Sequence, residues 1–114
     1  MNHAMSRKPL PREWTPEQVA QVFYPPIGGD DRGDHLIHNV SREILTALFS
    51  HEKRATGCGA PYTYAALASR AREHVEVSSD FREVISQENP GLADFLSAGH
   101  LSATFRCQLA SALS

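Results

Sequence analysis

A chain of 114 residues fits one domain with one modest core, and is too short for two independent ones. Its 41% apolar and 21% charged residues are those of a folded protein and exclude a disordered one. Eleven Lys and Arg against 13 Asp and Glu give a formal charge of -2, which offers no general attraction to nucleic-acid phosphates or an anionic membrane, and no apolar run approaches bilayer-spanning length.

Residues 1–13 carry the one basic patch, Arg7, Lys8 and Arg12, and read as a flexible tail; MNHAMSRKPLPR lacks the apolar h-region of a secretory signal, so a cytoplasmic protein is expected. Thr15-Pro16-Glu17-Gln18 joins an N-cap threonine, a proline at the first helical position and a glutamine at the third. A short helix should follow from Pro16 to Phe23, with Val19, Val22 and Phe23 on one face and Trp14 folded back on its first turn. Tyr24-Pro25-Pro26 stops it, because proline disfavours the helical conformation in the residue before it.

The next element is the clearest. Asp34 is a good N-cap, and Ile37, Val40, Ile44, Leu45, Leu48 and Phe49 form one apolar stripe on a helix over about residues 35–54. Lys53 and Arg54 in its last turn and Gly57 beyond it suit a helix C-terminus. Gly57-Cys58-Gly59-Ala60-Pro61 breaks the chain, and Pro61 or Thr63 starts a helix with Tyr64, Leu67, Ala68, Ala71 and Val75 on its apolar side. Ser78-Ser79-Asp80 is expected to cap a helix carrying Phe81, Val84 and Ile85, with Glu83 as the capping-box partner of Asp80. Asn89-Pro90-Gly91 ends it, a two-turn helix runs from Leu92 to Ala98, and a last one from Ser102 to Leu113 aligns Phe105, Leu109 and Ala112. Only Val75-Glu76-Val77 alternates as a strand would. The expectation is an all-α bundle of about five helices, a single domain over residues 14–114, with the 35–54 helix at its centre.

Several segments invite a chemical reading. His35 and His38 fall on neighbouring positions of one helix face, and Asp30, Asp31 or Asp34 offer oxygen ligands, but capping accounts for Asp34 and no fuller ligand set is specified. Gly28-Gly29 before a helix start resembles an anion site, yet its loop holds three aspartates and lacks the GxxxxGK[ST] pattern. Cys58 lies beside a helix start without a base near it in sequence, so neither an enzyme nor a cofactor is expected. Cys58 and Cys107 have no close Cys neighbour and are expected to stay reduced thiols.

Two binding readings remain. Tyr62-Thr63-Tyr64-Ala65-Ala66-Leu67-Ala68 resembles the first helix of helix-turn-helix motifs, which makes a DNA-binding regulator using Tyr62 to Glu88 the alternative; its second helix would set Asp80, Glu83 and Glu88 against only Arg82, a poor match for phosphates. The leading reading is protein binding. Trp14, Phe23, Tyr24, Tyr62 and Tyr64 sit beside chain breaks, and aromatic side chains commonly anchor interfaces. In length, helical character and the segments WTPEQVAQVFYPPIGGDDRGDHLIHNVSREILTALF and GCGAPYTYAALASRA, the chain resembles the small antiactivators of bacterial quorum sensing that bind LuxR-type transcription factors. That resemblance implies a helical homodimer that docks on the regulator's ligand-binding domain, covers its dimerisation surface and so blocks DNA binding. It carries over no individual site residue.

Overall fold

The computed structural model describes residues 9–10, 13–25, 33–56, 63–97 and 101–113. Among these, α1 (Pro16–Phe23) begins as its sequence predicts: the Thr15 hydroxyl accepts from the Gln18 amide at 3.2 Å, and the Gln18 side chain accepts from the Thr15 amide at 3.1 Å. This reciprocal pair satisfies two amides that a helix start otherwise leaves exposed.

The central element is α2 (Gly33–Thr56), 24 residues long, so it runs for roughly 36 Å. The longest dimension of the molecule is 38 Å, and α2 therefore crosses nearly all of it. It starts one residue before the expected cap Asp34, whose side chain lies outside the described residues. Ile44, Leu45, Leu48 and Phe49 are fully buried, as the stripe requires. Ile37 is not: it stays 42% exposed because the first turns of α2 project past the core. Burial of the stripe begins at Val40.

α3 (Tyr64–Glu76) is capped by the Thr63 hydroxyl, which accepts from the Ala66 amide at 3.1 Å, and buries Leu67, Ala68, Ala71 and Val75. Val77 alone separates it from α4 (Ser78–Glu88). The expected cap at Asp80 is thus corrected: α4 starts at Ser78 behind Val77, which makes no side-chain cap, and Asp80 lies inside the first turn. Glu83 accepts from Gln87 one turn later at 3.4 Å and takes no part in a capping box. Val75-Glu76-Val77 is the end of α3 and the joint itself. Asn89 ends α4 and caps α5 (Pro90–Leu96), its side chain accepting from the Leu92 amide at 3.2 Å. α6 (Leu101–Ala112) buries Phe105 and Leu109.

The architecture is all-α, with six helices among the described residues where about five were expected. α1, α3 and α4 pack on α2, α5 packs on α4, and α6 packs on α3. Arg106 of α6 donates to the carbonyls of Val75 and Glu76 at 2.7 and 2.9 Å, which closes the C-terminus of α3 without a glycine. Near the start of the chain, Pro9 forms an isolated antiparallel bridge with Thr63, and Leu10 packs partly buried against the core.

Replacing Leu48 with alanine should remove roughly 3 kcal/mol of stability, whereas Leu36→Ala, at an exposed position, should change it by less than about 0.5 kcal/mol. Urea unfolding followed by circular dichroism measures both.

Candidate functional site

Two features of the fold carry functional potential: a polar junction among three helices, and an apolar groove farther along α2. The junction follows from register. Glu52 lies three and four residues beyond Phe49 and Leu48, so its side chain shares their core-facing side of α2. It is only 5% exposed. A lone buried carboxylate is strongly unfavourable, and the fold supplies a partner. His74, on the inner side of α3 beside Val75, meets Glu52 Oε2 through Nε2 at 3.0 Å and Asp80 Oδ2 through Nδ1 at 2.6 Å.

Both nitrogens of one imidazole thus face carboxylate oxygens. They donate together only when the ring is protonated, so the geometry selects the imidazolium. Burial works against that charge by desolvating the ring. The hydrogen bonds to Glu52 and Asp80, together with their negative charge, outweigh it and hold the His74 pKa above its ordinary value. His51 of α2 stands edge-on to His74, with ring centres 5.2 Å apart, and its Nδ1 lies 3.8 Å from Glu88 Oε2. Arg54 forms an ion pair with the same Glu88, which joins the ends of α2 and α4. His51, Glu52 and His74 each present a ligand atom, all within 4.8 Å of one another.

The sequence expectation had placed histidine chemistry elsewhere. His38 is engaged by the Pro25 carbonyl and lies edge-on to Tyr24 with ring centres 5.3 Å apart, so it braces the exit from α1. The groups of three possible metal ligands among the described residues do not include it. The side chains of Asp30, Asp31, Asp34 and His35 lie outside the described residues, as do Gly28, Gly29, Cys58 and Tyr62. Cys107 is exposed on α6.

Of the aromatic residues expected at a partner surface, Trp14 is 4% exposed and belongs to the core. Its carbonyl accepts from Lys53 Nζ at 2.6 Å, and the same ammonium stands 5.1 Å from the ring centre. Phe23 packs half-buried against Phe49 with ring centres 5.9 Å apart. Tyr24 and Tyr64 also pack partly buried against the core, and burial pushes the Tyr24 phenol up, with Ser41 opposing it. These three side chains line the core's margin more than they form a free surface.

Among the described residues, an open apolar groove lies between α2 and α5. Leu36 is 58% and Phe95 43% exposed, and with Val40 and Leu92 they line a groove of about 380 Å³ rimmed by Glu43 and Asn89. Ile37, next to Leu36 in sequence, is exposed as well. The helix-turn-helix alternative finds no such feature: one residue joins α3 to α4, where the motif uses a turn of about three or four.

No protein-family model, curated protein or solved structure matches this chain. Its function is therefore argued from these two features and the sequence.

Folding raises the His74 pKa, so the folded state binds that proton more tightly than the unfolded one. The resulting stabilisation is fully present below the ordinary histidine pKa and is lost as pH rises through the raised value. His74→Gln should cost roughly 3 kcal/mol near pH 6, and the gap from the parent should narrow steadily toward pH 9. Urea unfolding of chelator-treated protein across this window reads the difference.

Proposed function

We propose that the protein is a non-enzymatic regulator that binds and sequesters a transcription factor, with the groove of Leu36, Val40, Leu92 and Phe95 as its contact surface. The observation that carries this reading is the exposure of Leu36 and Phe95 together at that groove. Contiguous apolar exposure of this kind marks a protein contact, and burying it against a target helix gains hydrophobic free energy on both sides. The glutamate at the rim and the net charge of -2 favour a protein target over nucleic acid.

The class of target comes from the resemblance to quorum-sensing antiactivators. On that reading the protein acts as a homodimer, occupies the face a LuxR-type regulator uses to dimerise, and so keeps the regulator off DNA.

Affinity capture from native cell extract, with and without nuclease, tests this function. A stoichiometric transcription factor should survive nuclease treatment, and its operator binding should fall when the purified chain is added. Leu36→Asp with Phe95→Asp should weaken capture at least about tenfold, while Arg70→Ala with Arg72→Ala should leave it unchanged. Recovery of specific DNA without a protein partner, or the reverse order of variant effects, contradicts the proposal.

A further inference from the structure

We propose that His51, Glu52 and His74 form a binding site for a divalent transition metal of the zinc type, with Asp80 as the outer partner that orients His74. Two imidazoles and one carboxylate are a well-attested ligand set for such ions, and three protein ligands leave a fourth position for water. The three ligand atoms already lie within 4.8 Å of one another. Tetrahedral coordination at bonds of about 2.1 Å sets ligand atoms roughly 3.4 Å apart. The Glu52 and His74 atoms stand 3.0 Å apart, so small side-chain rotations close the site without moving a helix.

The outer partner makes this more than a chance cluster. A metal-bound histidine typically gives its second ring N–H to a carboxylate, which fixes the tautomer and turns the other nitrogen toward the metal. His74 has that arrangement: Nδ1 meets Asp80 Oδ2 at 2.6 Å, while Nε2 points to Glu52. His51 stands edge-on to His74, and its side chain is 27% exposed, so the site has an opening to solvent through which an ion enters.

The site is also distinct from His38, which is held by the Pro25 carbonyl and Tyr24. A binding experiment with a His38 variant therefore serves as the control.

Chelator-stripped protein titrated with Co²⁺ should bind one ion per chain, develop the visible ligand-field bands of four- or five-coordinate cobalt, and lose them when Zn²⁺ is added. His51→Gln and Glu52→Gln should each abolish the bands while circular dichroism shows a folded chain. Asp80→Asn should keep the bands and weaken affinity about tenfold or more. His38→Ala should bind as the parent does. The proposal is overturned if the parent shows no saturable bands, if the bands persist in His51→Gln, or if they vanish in His38→Ala. Should Glu52→Gln not fold, His51→Gln alone decides, since its side chain lies at the solvent edge of the cluster.

Discussion

Glu52 shares the face of α2 that carries Leu45, Leu48 and Phe49, and this places a carboxylate inside the core. The arrangement holds only while the charge is paired, and the pairing group comes from another helix. His74 of α3 supplies it and is itself held by Asp80 of α4. One imidazole thus fixes three helices relative to one another. The single-residue joint at Val77 keeps Asp80 within reach, and Arg106 of α6 closes the end of α3 just past His74. Hydrophobic burial supplies the bulk of the driving force, while this directional network selects one packing of α3 and α4 on α2.

The two ends of α2 therefore have different characters. Near its C-terminus, Glu52 is polar, paired and enclosed. Near its N-terminus, exposed Leu36 and Phe95 of α5 line an open groove. Sixteen residues separate Leu36 from Glu52, about 24 Å along the helix axis. Substitutions at sites that far apart act almost independently, so partner binding and the polar junction are separable properties of one helix.

Much of the helical plan was legible in the sequence. The Thr15 capping box and the stripe from Val40 to Phe49 rest on interactions within a few residues and appear where spacing placed them, while the expected Asn89-Pro90-Gly91 break narrows to Asn89, because Pro90 and Gly91 already belong to the first turn of α5. The start of α4 was misread because Asp80 looks like a cap. Its carboxylate instead belongs to His74, six residues back across the joint. The polar junction was missed for a related reason: His74 lies 22 residues from Glu52, and spacing along one helix does not report contact with another. One signal was present, a glutamate in register with an unbroken apolar stripe, which implies a buried partner. The groove left no comparable mark, since the spacing of Leu36 and Phe95 does not reveal which apolar side chains a neighbour covers.

The packing of α3 and α4 on α2 requires His74 to be the protonated link between Glu52 and Asp80. Nitrogen-detected magnetic resonance of the histidine rings in chelator-treated protein tests this most directly. Both His74 ring nitrogens should carry protons at a pH equal to the ordinary histidine pKa, and Asp80→Asn should lower the pH at which one proton is lost. A His74 ring already neutral at that pH, or one indifferent to Asp80→Asn, would contradict it.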